Sequence, residues 1–342
     1  MKKLTEAERQ LLIVVGWLKS RYGLMIGIGA DSRSDRKNLE EFGRSWIGKY
    51  LVDWSDAYQS LVEKGYLIED DGTYSLTENG EAERRLIEIN NPLWLYEYNN
   101  FFASAENSYA HAIFCEEVYG KDLCQHGLTD LFQLSKLHEF LNLSSTDRVL
   151  DLGCGNGHIT EYLHDLTGAS YVGIDISEEA IKQARKRTWA KKERLIFNVG
   201  NMNQLDLPQQ SFSAVISIDT LYYVNSLEET LKQMVEVLKP KGRMGIFFTQ
   251  WINNLEDQTR LLPENTDLAV LLKKRNLKFA ALDLTQHETE HWRKKVDVLE
   301  RLRTEFEREG NLSLYDYRHS EAARYANWDL RKRSRHLYHV HL

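Results

Sequence analysis

Apolar positions recur at helical spacing through the first part of the chain, and from about residue 148 they change to short apolar runs alternating with amphipathic stretches. From Thr5 to Ser20, Leu11, Leu12, Val15 and Leu18 define one helical face. A second helical stretch runs from Leu39 to Lys49. A third, Ser55 to Lys64, places Ala57, Tyr58, Leu61 and Val62 on one face and stops at Gly65. The stretch YLIEDDGTYSLT then reads as two short strands joined by Asp70-Asp71-Gly72, the Asp-Gly signal of a tight hairpin. Residues 81 to 145 are helical in pattern and rich in aromatics, with Trp94, Tyr96, Tyr98, Phe101, Phe102, Tyr109 and Tyr119. Beyond them come RVLDLG, HITEYLHDL, SYVGIDI, EEAIKQARKR, RLIFNVG, SAVISID, SLEETLKQMVEVL and RMGIFF. Strand-like and helix-like runs in that order predict β-α units on a parallel sheet with helices on both faces.

Three helices and a hairpin over residues 1–80 resemble a winged helix, a unit often found on DNA. Charge speaks against that use. Residues 1–90 hold 13 Lys and Arg against 16 Asp and Glu, and the third helix sets Lys64 against Asp56 and Glu63. Phosphate contacts need a basic surface. A dimerising or site-covering domain is the expected role. The whole chain agrees: 342 residues with a formal charge of -7 lack the electrostatic footprint of a protein that binds polyanions.

With 42% hydrophobic and 28% charged residues and 4 Pro, the composition is that of a folded globular protein. Cys115, Cys124 and Cys154 are too few and too irregular for a disulfide framework, so a reducing, cytoplasmic setting is expected. The apolar run Leu11–Leu18 falls well short of the roughly 20 residues of a membrane span and reads as a buried helix.

The chemistry is concentrated where RVLDL runs into GCGNG. Gly153, Gly155 and Gly157, with Cys154 and Asn156 between them, make a turn whose missing side chains let a ligand approach backbone N–H groups at a helix start. A G-x-G rhythm alone is weak. GIGAD, with Gly27 and Gly29, shares it without a preceding strand and reads as a loop. Three neighbours add specificity. Asp151 precedes the glycines by two residues, Asp175 ends the next strand 24 residues later where an acid can accept ribose hydroxyls, and Gly200-Asn201-Met202 ends the third.

LDLGCGNG, GIDIS, the GNM step, SFSAVISIDTLYYV and LKPKGRMGIF, in this order and spacing, resemble the blocks of class I S-adenosylmethionine (SAM)-dependent methyltransferases, especially the small-molecule branch. The likeness covers about Asp147 to Trp251 strongly and the remainder more weakly. It implies a Rossmann-like seven-stranded α/β sheet over 146–342, behind the winged-helix-like domain (1–80) and a helical connector (81–145) covering the active site. It further implies that SAM is the cofactor. Asp151 with Gly153 and Gly155 would hold its methionine end, Asp175 the ribose, and Ile176, Asn201 and Met202 the adenine; many relatives have Asp at the position of Asn201. A homodimer through the N-terminal domain is an expectation of the resemblance alone.

Methyl transfer is an in-line displacement, so the protein must chiefly align the acceptor and exclude water. Ligands of such sheets lie beyond the carboxyl ends of the strands, which points to Asp219, Thr220, Tyr222, Tyr223, Trp251 and His287. Asp219, Tyr222, Tyr223 and His287 are the candidate catalytic or acceptor-lining residues. O-methyltransferases that pair a winged helix with this fold carry a His in an L-H-D-W stretch; here the stretch is Leu221-Tyr222-Tyr223-Val224. The Asn/Asp-Pro-Pro-Tyr signature of base-amine methylation is also missing. The expected function is therefore methylation of a small metabolite, with nitrogen ahead of oxygen or carbon. The alternatives are a SAM-responsive DNA-binding regulator and a protein or RNA methyltransferase.

About 50 residues, 286–335, separate ALDLT from the apparent final strand HLYHVHL. An antiparallel last strand would bring this helical insert out on the cofactor side as a lid, and the segment Tyr109–Gly127 would cross the methionine end of SAM. His111, Cys115, Cys124 and His126 match no standard zinc spacing, so no metal is expected. His336, His339 and His341 read as structural or terminal. Arg331–Arg335 reads as a solvated helix face, with an acidic substrate as the alternative. The Tyr and Trp content suits aromatic cores, with a cage for a cationic amine as the sharper reading.

Overall fold

A computed structural model describes residues 3–18 and 34–342; Gly27, Gly29 and the end of the first predicted helix lie outside the described residues. The chain divides into two compact units, Met1–Phe101 and Phe102–Leu342.

In the first unit α1 (Glu6–Leu18), α2 (Arg36–Ile47) and α3 (Ala57–Glu63) precede strands β1 (Leu67–Asp70) and β2 (Thr73–Leu76), and α4 (Glu78–Glu88) follows. Helix α2 starts three residues before the apolar pattern suggests, because Asp35 caps it by accepting from Asn38 N at 2.9 Å. The hairpin turns on Asp71 and Gly72, both at positive φ (47° and 73°), as a two-residue turn compatible with strand twist demands. Leu11, Leu12, Val15, Leu39, Tyr58, Leu61 and Tyr74 form the core. Glu8, 2% exposed, is ionised in this core because Lys64 and Ser60 bind it, and these bonds hold its pKa down at about 2 against its burial.

Helix α5 (Leu93–Ala105) spans the division. In the second unit α6 (Tyr109–Tyr119) and α7 (Leu131–Leu141) lead to the sheet. Strands β3 (Arg148–Leu152), β4 (Ser170–Asp175), β5 (Leu195–Val199), β6 (Phe212–Ile218) and β7 (Leu238–Trp251) are parallel. β9 (Arg333–His341) runs antiparallel between β7 and β8 (Lys278–Asp283). The order is β5-β4-β3-β6-β7-β9-β8. Helices α7, α8 (His158–Thr167) and α9 (Glu178–Arg187) cover one face through Leu134, Leu137, Leu163 and Ile181. On the other face α10 (Leu227–Val237) and α11 (Asp267–Lys274) pack through Leu231, Met234, Leu268 and Leu272. Full burial of each such side chain is worth about 1.5–3 kcal/mol. The chain enters at β3, builds outward to β5 and returns to β6, so the strand order reverses between β3 and β6. Ligand crevices of open α/β sheets form at that reversal.

Between β8 and β9 the chain forms α12 (Thr285–Arg308) and α13 (Leu312–Ala326). The last strand starts at Arg333, earlier than expected, and the reading of Arg331–Arg335 as a solvated helix face is corrected. Arg331 is exposed, but Arg333 and Arg335, on one face of β9, are 1% and 0% exposed. Buried carboxylates account for this: Glu288 lies 3.4 Å from Arg333, and Asp219 pairs with Arg335 through both oxygens.

Candidate active site

The three loop glycines have φ of +74°, +55° and +74° (Gly153, Gly155, Gly157). A Cβ on Gly153 would lie 2.3 Å from Thr220 Cγ2, and one on Gly157 would lie 2.6 Å from Phe197. The turn is thus fixed by backbone conformation and by close packing. Thr220 ties the crevice together by donating to the Leu152 carbonyl at 2.9 Å. Gly157 precedes α8 without a side-chain cap, unlike Ser177 at α9, so the glycine turn ends at the positive end of a helix dipole whose first N–H groups have no side-chain cap.

Two carboxyl groups flank this turn. Asp151 is 2% exposed, and its Oδ2 accepts from Thr160 at 2.6 Å. Burial, reinforced by the Asp175 charge, pushes its pKa up to about 7. Asp175 accepts from Gly155 N at 2.8 Å and Ser177 N at 2.9 Å, which fixes the glycine loop to the end of β4. Burial raises its pKa despite those donors. Cys154 is a free thiol, raised by burial, whose sulfur would lie 2.8 Å from a Cβ on Gly173. Ile176 follows Asp175 and is half-buried. At the end of β5, Asn201 Oδ1 accepts from Asn203 N at 2.9 Å, and Met202 packs on the apolar layer.

The sequence did not point to the clamp across this loop. Asn156 Nδ2 donates to Glu106 at 2.7 Å, Arg187 donates to the Asn156 carbonyl at 2.7 Å, and Arg187 and His158 both approach Glu106. Gln183 Nε2 holds the Phe102 carbonyl at 3.1 Å, and the Phe102 ring lies 3.0 Å from a Cβ built on Gly155. The end of α5 therefore lies over the glycine turn. Its only signal in the chain was the aromatic density of residues 81–145.

Of the four acceptor-side candidates, three cluster and one does not. Tyr222 and Tyr223 have ring centroids 4.8 Å apart, and Tyr222 meets Trp251 edge-on at 5.3 Å. Tyr222 and Trp251 line a cleft of about 560 Å³ together with Leu221, Phe248 and Leu271. Asp219 lies just before them at a positive φ of 59°. Arg335 takes both of its oxygens, and Thr129 Oγ1 adds a bond at 3.2 Å. His287 lies at the start of α12. Its Nε2 is 2.7 Å from Asp130 Oδ2, and this bond raises its pKa. His111 and Cys115 share a buried helix face with 3.7 Å between Nδ1 and Sγ, and among the described residues no three His, Cys, Asp or Glu side chains converge on a metal geometry.

Residues 143–297 match the family model of a methyltransferase domain. The eEF1A lysine and N-terminal methyltransferase of Bos taurus is 36% identical over 110 residues, 32% of this chain and 16% of that protein. The sterol 24-C-methyltransferase of Aspergillus fumigatus is 32% identical over 228 residues, 66% of this chain and 52% of that one. The chain thus spans at most about half the length of these two relatives. Among solved structures, phosphoethanolamine N-methyltransferase 2 of Haemonchus contortus, in complex with SAM, aligns with a TM-score of 0.58 at 16% identity, covering 72% of this chain and 59% of that one, a likeness of fold. Sheet order, glycine turn and the match over residues 143–297 together mark this part of the chain as a methyltransferase domain of the class I SAM-dependent type. Among the described residues no helix is long and apolar enough to cross a membrane.

Proposed function

We propose that this protein transfers a methyl group from SAM to a small-molecule acceptor, with nitrogen favoured over oxygen and carbon. The observation that carries the reading is Asp151, a buried carboxyl whose pKa is raised to about 7 and which accepts from the neutral hydroxyl of Thr160, beside an uncapped helix start. A ligand end bearing both an ammonium and a carboxylate matches that pair of groups. SAM, when bound, supplies a methyl group already activated on a sulfonium. The chain's task is to bind and orient: Asp151 and the α8 N–H groups for the amino-acid end, Asp175 for the ribose, Ile176, Asn201 and Met202 for the adenine.

On the acceptor side, Tyr222, Tyr223 and Trp251 would exclude water from the reacting atoms. Asp219 acts as a positioning residue and not as a base, since Arg335 takes both of its carboxylate oxygens. A neutral amine needs no such base, which supports nitrogen as the acceptor atom. The winged-helix regulator gains no support, because Glu8 engages Lys64, the base on α3. Titration of the protein with SAM and S-adenosylhomocysteine should give micromolar affinity for both, followed by methyl incorporation in a screen of amines against hydroxyl analogues. A folded sample that binds neither overturns the reading. A protein acceptor is the second reading, favoured by the name of the bovine relative. Labelling of protein and no small molecule in the same screen would establish it.

A further inference from the structure

Beneath α12 and α13 lies a set of charges that the cofactor crevice does not use. Lys295 and Arg318 are each 1% exposed. Arg318 is committed to the segment crossing below it: it donates to the His126 carbonyl at 2.7 Å and to Tyr119 Oη at 2.8 Å, and Glu321 lies 3.4 Å away. Lys295 differs. Its Nζ donates to the Gly127 carbonyl at 2.9 Å and lies 4.1 Å from the Trp292 ring centroid and 5.3 Å from that of Tyr119, and it forms no ion pair with any carboxylate among the described residues. A buried ammonium with only a carbonyl and two ring faces is under-compensated. Burial and the Arg318 charge accordingly draw its pKa down to about 7, with Glu321 and Asp219 opposing.

A second observation points to a ligand. His291, one turn before Lys295 and 4% exposed, has an Nε2 without a hydrogen-bond partner, and its ring lies 4.9 Å from that of Tyr119. Burial and neighbouring cations, Lys295 among them, lower the pKa of the buried rings of His111, His126 and His291, so they add no charge; His111 faces Cys115, His126 is bonded to Tyr317, and His291, whose Nδ1 lies 3.8 Å from Asp130, offers its Nε2. The cluster also adjoins the strand reversal. A Cβ on Gly127, whose carbonyl Lys295 holds, would lie 3.1 Å from Asp219 Oδ2, and Thr220 next in the chain packs on Gly153.

We propose that Lys295, with Arg318 behind it and His291 beside it, forms a subsite for an acidic group of the methyl acceptor, a carboxylate or a phosphate. This rests on the reading of the glycine crevice as the SAM site. The acceptor is then an acidic small molecule whose anion is held under the insert while its methylated atom faces the end of β6. Anion binding completes the charge of Lys295, so it takes up a fraction of a proton near neutral pH.

The test uses the full chain and calorimetry. S-adenosylhomocysteine is titrated first; with it saturating, inorganic phosphate and acetate are titrated separately, which distinguishes the two anion types. At least one should bind. Lys295→Met should weaken that binding by at least tenfold and Lys295→Arg should largely restore it, with S-adenosylhomocysteine affinity within twofold of wild type in both. If Lys295→Met does not fold, the wild type decides: heats measured at pH 7.5 in two buffers of different ionisation enthalpy should show more proton uptake with the anion in the wild type than in Lys295→Arg. Binding of S-adenosylhomocysteine without either anion, undiminished anion binding in Lys295→Met, or equal proton uptake in the wild type and Lys295→Arg overturns the subsite. Failure of S-adenosylhomocysteine to bind overturns the cofactor reading instead.

Discussion

The two sides of the crevice are built differently. On the proposed cofactor side, β3, β4 and their loops supply Asp151, the three glycines and Asp175 within 25 consecutive residues, and backbone conformation sets the geometry. On the proposed acceptor side, Asp219, Arg335, Lys295 and Gly127 come from four separate parts of the chain, with Asp219 and Arg335 held as a buried ion pair and Lys295 on the Gly127 carbonyl. A site made of backbone can lose ligand affinity without losing its fold. A site made of buried ion pairs puts both at risk together, because removing one partner leaves an uncompensated charge.

Asp219→Ala tests that difference most severely. Arg335 would keep Thr129, Gln133 and Thr249 as neutral partners but lose its counter-charge. The expected loss of stability is about 3–5 kcal/mol, read by urea denaturation. A loss near zero would mean the acceptor side is no more dependent on charge than the cofactor side. Gly153→Val is the counterpart: a side chain at φ +74° against Thr220 should weaken SAM binding by about 100-fold or more while the acceptor-side network stays intact. Unfolding instead would erase the distinction.

Asp151→Asn sharpens it, since stability and binding should move in opposite directions. A carboxyl raised from 3.8 to about 7 binds its proton more tightly in the folded state, so its cost to the cofactor-free protein grows from about pH 4 to pH 7 and is constant above. The Asn variant should therefore melt higher than wild type at pH 8, with the gain shrinking toward pH 4. It should also bind SAM about tenfold or more less tightly. In the wild type, SAM affinity should fall as pH drops below 7, by up to about tenfold per unit, because the Asp151 proton must leave; a flat profile between pH 6 and 8 would contradict the assignment. Glu106→Gln, which loosens the α5 clamp, carries the smallest effect: an affinity loss of a few fold, with faster SAM dissociation in stopped flow.

The same division governed what could be read in advance. The hairpin turn, the β-α alternation and the glycine loop are local, and each formed at the expected place. Helix starts shifted by a few residues where a cap such as Asp35 overrode the apolar pattern. Arg331–Arg335 was misread because a basic run near the end of a helical pattern ordinarily faces water. Two of its arginines turn inward to carboxylates on other elements. Glu106 and Arg187 gave no local signal, since each has meaning only beside Asn156.

The sequence by itself determined the order of strands and helices, the left-handed turn that only glycines hold without strain, and the acids at two strand ends, because these follow from side-chain period and backbone sterics over a few residues. The tertiary structure decided which charges are buried and with what partners: Asp219 with Arg335, Glu106 with Arg187, and Lys295 with a carbonyl and two aromatic rings. The strength of a Coulomb interaction depends on distance and on exclusion of water. Neither quantity exists until distant parts of the chain have packed.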